Sequence, residues 1–221
     1  MPEELVVAEI QQAFFEYRAN FQKPIIVLWS GGRQAEIIDA VHNALVEWGV
    51  GIENVGWNQG AKNLREVQLT FGVPSLSAFI QVGVVGTTMT AQNPDWSRAP
   101  ALVSMFQTAM DALKGITAQQ LQSQQTTLGF HVKPPEGRPF RETVTQFVNV
   151  KALGGDDAAM FGISVYYDDH SLLFDASAVI QGGLFVRLVR NFDGERRFEE
   201  VANTLYSDEE AVLHRLGLKL Q

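Results

Sequence analysis

The chain has 221 residues, 46% hydrophobic and 19% charged, which is enough apolar content to bury a core and excludes a disordered composition. Its 17 Lys and Arg against 25 Asp and Glu leave a formal charge of −8, which disfavours nucleic acid as a partner, because that class leans on phosphate neutralisation by basic side chains. No cysteine is present, so disulfides, thiolate zinc sites and cysteine nucleophiles are excluded.

The start, Met-Pro-Glu-Glu, lacks the basic beginning of a signal peptide. No apolar run is long enough to span a bilayer. The expectation is a cytoplasmic protein without a membrane partner. In residues 3–21, Val6, Ile10, Phe14, Tyr17 and Phe21 follow helical spacing, so a helix is expected, although VVAEI also reads as a strand. Pro24 leads into IIVLW (25–29), a short buried strand. Ser30-Gly31-Gly32 follows, then an amphipathic helix over 33–48 with Ile37, Ile38, Val41, Ala44, Leu45 and Trp48 on one face and Gly49 as its C-cap.

Residues 50–57 read as a strand. REVQLTFGV (65–73) alternates, with Val67, Leu69, Phe71 and Val73 inward and Pro74 as its stop. Phe79 to Thr90 reads as one strand with bulges at Gly83 and Gly86. Asn93-Pro94-Asp95 starts a helix that runs to about Leu113 and faces inward through Leu102, Phe106, Ala109 and Leu113. Thr117 and Gln120 make a capping box for a further short helix. TLGFHV (127–132) is a strand, KPPEGRP (133–139) a connector, and Phe140, Val144, Phe147 and Val148 a helical stripe.

Aromatic and β-branched residues dominate 160–192, broken at Asp168-Asp169-His170 and Gly182-Gly183, which predicts a three-strand antiparallel meander. Its apolar face carries Phe161, Ile163, Val165 and Tyr167, then Leu172, Phe174, Ala176, Ala178 and Ile180, then Leu184, Val186 and Leu188. These faces must coincide, because a one-residue slip turns every side chain over. That condition favours a Gln181-Gly182-Gly183 loop with a glycine at positive φ, Ile180 opposite Leu184, Ala178 opposite Val186, and Tyr167 opposite Leu172. Phe198, Val201, Ala202 and Leu205 then define a helix started by Asp193, and Ser207 with Glu210 caps a last one.

This order gives an α+β protein of two ferredoxin-like (βαββαβ-type) halves with antiparallel sheets: 1–132, the connector 133–139, and a C-terminal α+β half over 140–221 that contains the meander.

Four groups of residues carry candidate chemistry. Gly154-Gly155-Asp156-Asp157 and Tyr166-Tyr167-Asp168-Asp169 resemble the metal-binding aspartates of nucleotide-polymerising palm domains, but a strand between them sets Asp157 and Asp168 about 30 Å apart. The returning third strand instead directs Asp193 and Glu195 towards Asp168, Asp169 and His170, so that Asp168, Asp169, His170 and Asp193 are candidate ligands of a divalent cation. Ser30, Gly31, Gly32 and Arg33 lie between a strand and a helix start, where free amides and a guanidinium suit phosphate. That string resembles the loop start of ATP pyrophosphatases, although Arg33-Gln34-Ala35 replaces the aspartate and serine with which that family continues. Finally Tyr166, Leu173, Phe185 and Val189 form a semi-apolar second face of the meander, a candidate interface.

No nucleophile elbow, Walker sequence or metal-type histidine spacing occurs among His42, His131, His170 and His214. The expectation is therefore a non-enzymatic binding or assembly protein, a homo-oligomer or a subunit of a complex with a protein partner. The alternatives are a metal-dependent enzyme acting on a phosphoester or nucleotide through Asp168, Asp169, His170 and Asp193, and a small-molecule binding protein with a cleft between the halves.

Overall fold

The computed structural model describes residues 6–7, 9–28, 31–58, 60–133, 162–215 and 218–219. Among them the chain forms β1 (Val6–Val7), β2 (Glu9–Phe21), α1 (Gly31–Leu45), β3 (Val55–Trp57), β4 (Gln68–Val73), β5 (Ala78–Gly83), β6 (Gly86–Gln92), α2 (Ala99–Thr117), β7 (Leu121–Lys133), β8 (Ile163–Tyr166), β9 (His170–Ala176), β10 (Leu184–Asp193), α3 (Phe198–Arg215) and β11 (Leu218–Lys219). The fold is α+β. Nine strands form one antiparallel sheet in the order β3-β4-β5-β6-β2-β7-β10-β9-β8, and β1 pairs with β11 in a separate parallel ribbon. No described helix is long and apolar enough to cross a membrane.

Two compact units divide the chain. One comprises Met1–Ala13, Thr127–Arg190 and Thr204–Gln221, and the other Phe14–Thr126 and Asn191–Asn203. The second unit contains a four-strand run, β3 to β6, in which β4, β5 and β6 follow one another through short turns, with β2 alongside β6 in the register Tyr17↔Met89. Its core follows from period-two burial. Val67, Leu69, Phe71 and Val73 are all 0% exposed, as their alternation requires. Helix α1 buries Ile37, Val41 and Leu45 at four-residue spacing, and the turn after it closes on Gly49 at φ 79°. Helix α2 buries Leu102, Phe106, Ala109 and Leu113. The Phe198 ring meets Tyr17 at 5.0 Å and Phe106 at 5.2 Å, both edge-on.

Several expected elements are corrected. Residues 9–21 are a strand rather than a helix, because Ala13, Phe15, Tyr17, Ala19 and Phe21 are the buried positions. Their spacing is two, and of the helically spaced set only Tyr17 and Phe21 fall among them. Residues 25–28 are not a strand: Ile26–Leu28 form a 3₁₀ turn with Leu28 buried and Ile26 exposed, after a buried Ile25, and Trp29 lies outside the described residues. Phe79 to Thr90 is a hairpin, with Gly83 and Gly86 flanking its turn rather than marking bulges. Thr117 ends α2 and returns its hydroxyl to Leu113 O at 2.7 Å, so it caps no further helix. Ser207 and Glu210 lie inside α3, which runs unbroken through both expected helices. With the first expected strand gone and a hairpin in place of one strand, the ferredoxin-like halves are not confirmed. The connector 133–139 beyond Lys133 and the stripe at 140–148 lie outside the described residues.

In the first unit, β8, β9 and β10 pair antiparallel, but not in the expected register. Leu172 faces Val165 rather than Tyr167, and Leu184 faces Ala176 rather than Ile180. The slips are two and four residues. Both are even, so Leu172, Phe174 and Ala176 still share a face with Leu184, Val186 and Leu188. The longer second turn is built by Ser177, whose Oγ accepts from the Val179 and Ile180 amides at 3.1 and 2.8 Å and takes these residues out of the ladder. Gly182 does hold a positive φ, 71°.

Candidate functional site

The β8–β9 turn brings together part of the expected acidic cluster, with a cation already in it. Tyr167 N donates to His170 O at 2.8 Å and closes the turn on Asp168 and Asp169. His170 faces Arg190 across the β9–β10 pair. Asp169 accepts from His170 Nδ1 at 2.7 Å and from Arg190 Nη1 at 2.5 Å. Arg190 also donates from Nε to Asp208 Oδ2, and from Nη2 to Asp208 Oδ1 at 2.8 Å. The Tyr167 ring stacks on His170 at 4.1 Å, and Arg215 Nη1 reaches the Tyr167 hydroxyl at 3.3 Å. The His170 hydrogen bond, helped by the Arg190 charge, holds the Asp169 carboxyl below its usual range.

This arrangement is an ion-pair network. Each carboxylate oxygen of Asp169 and Asp208 already has a donor. Asp168 is exposed, and Asp193 sits three residues beyond Arg190 on β10. Glu195, also expected near the turn, pairs with Lys114 at 2.6 Å and accepts from the Leu121 amide. Among the described residues no group of three or more His, Asp or Glu is placed to hold a metal ion.

The other sequence candidates are dispersed. Ser30 lies outside the described residues, Gly31 and Gly32 open α1, and Arg33 pairs with Glu36 one turn on at 3.3 Å, on the surface. Of the second-face residues, Tyr166 is 79% exposed, while Leu173, Phe185 and Val189 are half-buried. The Phe185 ring lies 4.7 Å from His131. His131 Nδ1 in turn meets Ser177 Oγ at 2.8 Å, and burial pushes its pKa down. Because Ser177 Oγ already accepts two turn amides, this pair is a buttress for the turn rather than an activated nucleophile.

The feature that sequence reasoning missed is Glu209. Helix α3 buries Val201, Ala202, Leu205, Val212 and Leu213, and Glu209 falls on the same stripe, four residues after Leu205 and four before Leu213. It is 6% exposed, and its Oε1 has no hydrogen-bond partner among the described residues. Burial pushes its pKa up to about 7, and burial together with Glu209 raises that of Tyr206. Beside it lies a cavity of about 280 Å³ lined by Tyr206, Glu209, Glu210, Leu213, His214, Leu218 and Lys219. That is the small end of ligand pockets, which run upward from about 300 Å³. The ribbon partner of β1 supplies one wall, since Val6 pairs with Leu218 and Val7 with Lys219. The signal was present in the sequence as an acid on an apolar helical stripe. A helix break expected at Ser207 took Glu209 off that stripe.

No family model matches the chain, and no curated protein matches it either. Among solved structures, the rolling circle replication initiator protein from Geobacillus stearothermophilus is similar at a TM-score of 0.37 and 10% identity, over 90% of this chain and 80% of that one. That neighbour, a replication initiator, runs against the expected non-enzymatic assembly protein for which nucleic acid is a disfavoured partner. The expectation is corrected on that point; the divalent-metal alternative at the acidic turn finds no support among the described residues, where both Asp169 oxygens already have donors. A likeness at this TM-score carries no argument about chemistry, so the chemistry of this chain is read from its own residues.

Proposed function

We propose that the protein carries out acid–base chemistry on a small molecule in the cavity beside α3, with Glu209 as the proton-exchanging group. One observation carries this reading: a carboxyl group buried beyond nine-tenths, with an oxygen that has no partner among the described residues, lies against a cavity. Burying a carboxyl without partners costs free energy, so such groups concentrate where they work. Its pKa near 7 suits the role, because a group that titrates at the ambient pH both takes and gives protons readily. Leu213 and Leu218 give the cavity an apolar wall, and an apolar surround strengthens a polar contact made against it.

The test is carbodiimide labelling at pH 6.5 with peptide mapping by mass spectrometry. The reagent activates only a protonated carboxyl that it can reach. Glu209 should label ahead of the exposed carboxyls, and the Glu209→Gln variant should lose that adduct alone. A Glu209 that stays unlabelled while surface acids react would sink the reading.

A further inference from the structure

We infer that Glu209 works a pH-operated catch: when its carboxyl gives up its proton, the β1–β11 ribbon lets go of α3 and water reaches the carboxylate. This goes beyond the acid–base reading of the cavity and needs no ligand.

The geometry sets an unpartnered acid beside a weakly held cover. Glu209 is 6% exposed, and its Oε1 has no hydrogen-bond partner among the described residues. As the acid it brings no charge into that setting. As the carboxylate it brings one that neither water nor a described donor offsets, so any arrangement that admits water gains when the proton leaves. The ribbon and α3 from Thr204 onward belong to one compact unit. Leu218 and Lys219 of β11 line the cavity that Glu209 borders, and Leu218 is 7% exposed.

Two elements meet there, and they are unequally held. Helix α3 has 18 residues and buries Val201, Ala202, Leu205, Val212 and Leu213. Asp208, next to Glu209, ties it to Arg190. The ribbon consists of two residue pairs, Val6↔Leu218 and Val7↔Lys219, and is no part of the nine-stranded sheet. A two-stranded ribbon is marginal in water, and local opening starts with the elements that bury least. The ribbon can leave without breaking the ladder of the large sheet.

The charges around Glu209 leave this balance alone. Tyr206, Glu210 and His214 on α3 and Lys219 on β11 line the cavity. Glu210, His214 and Lys219 are exposed, so solvent screens them. On the strands of the unit, Arg190 is taken up by Asp208 and Asp169, and His170 by Asp169. Arg215 reaches the Tyr167 hydroxyl. Desolvation is what moves the Glu209 pKa from 4.5 up to about 7. A closed form with a raised pKa is favoured most in acid and loses its advantage as pH rises from the lower value through the higher. Opening therefore gains with pH, by about 300-fold in all, and levels off above pH 7.

The chain holds no cysteine, so a single introduced thiol reports its own position. Leu218→Cys is labelled with a methanethiosulfonate reagent from pH 5.5 to 8. Each rate is divided by that of the same cysteine in a short peptide at the same pH, which reads the opening of the ribbon. The ratio should rise roughly twenty- to thirtyfold across this range and flatten above pH 7. With Glu209→Gln added it should keep its pH 5.5 value throughout. Val186→Cys, at a position 0% exposed on β10, reads opening of the core and should label about tenfold or more slowly than Leu218→Cys at every pH. Hydrogen exchange of the peptide carrying Leu218 and Lys219, corrected for its intrinsic pH dependence, repeats the reading on the unaltered chain. A ratio independent of pH, an equal rise in the presence of Glu209→Gln, or a Val186→Cys that labels as fast as Leu218→Cys overturns the inference. Carbodiimide labelling decides the acid–base reading separately. An unlabelled Glu209 beside a ribbon that opens with pH sinks that reading and leaves the catch; a labelled Glu209 beside a ribbon indifferent to pH does the reverse.

Discussion

Arg190 holds both carboxylate oxygens of Asp208, through Nε and Nη2, although the two residues are 18 apart and lie on different elements, strand β10 and helix α3. The pair is largely buried, with side-chain exposures of 15% and 17%. Its remaining nitrogen, Nη1, reaches Asp169 at the β8–β9 turn, so one guanidinium ties turn, strand and helix within a unit.

The pair should behave as a buried ion pair in which loss of one partner strands the other. Asp208→Asn should destabilise the fold by about 1–3 kcal/mol in urea unfolding, since Arg190 keeps its charge and loses its bidentate partner. Asp169→Asn should cost less than Asp208→Asn, because Asp169 is solvated. Equal losses for the two variants would mean that the bidentate contact adds nothing.

Glu209 sets a pH dependence with a definite sign. Its pKa rises from 4.5 to about 7 on folding. Between those values the unfolded chain releases a proton that the folded chain keeps, so stability falls as pH rises through the window and is flat above it. The full loss is on the order of 3 kcal/mol. His131 acts in the opposite direction: burial lowers its pKa from 6.5, so acid below that value favours the unfolded chain. Glu209→Gln should match the wild type near pH 4, exceed it at pH 8, and leave only a rise of stability with pH. Melting curves from pH 4 to 8 read both slopes.

Phe198 closes an aromatic group with Phe15, Tyr17 and Phe106, at centroid distances of 6.2, 5.0 and 5.2 Å. Phe198→Ala should cost about 3–5 kcal/mol and lower the urea midpoint without changing the slope of the transition. A loss under about 1 kcal/mol would show that the cluster collapses around the gap.

Gly86 sits where β6 passes β2, and a Cβ there would meet Ala19 O at 2.5 Å. Gly86→Ala should destabilise by about 2 kcal/mol, since the obstacle is backbone within a ladder. Gly56→Ala is the control: its nearest neighbour would be Thr70 Cβ at 3.8 Å, so stability should stay within about 0.5 kcal/mol.

What could be read from the sequence alone was local and periodic. The inward positions of β4, the stripe and C-cap of α1, and the inner face of α2 all come from spacing and burial. The shared face of β8, β9 and β10 was also legible, because parity survives any even slip; the register was not, because the amides held by Ser177 lengthen the turn. Tertiary structure decided the rest. Residues 9–21 carry apolar side chains compatible with both periods, and pairing with β6 selects the strand. The acidic turn looked open to a cation until Arg190 arrived from a strand some twenty residues on and took it. The helix break expected at Ser207 left Glu209 off the apolar stripe of Val201 and Leu205. Only the unbroken α3, laid with that face inward beside Leu218, turns it into a buried carboxyl at a cavity, because desolvation depends on what surrounds a residue and not on which residues precede it.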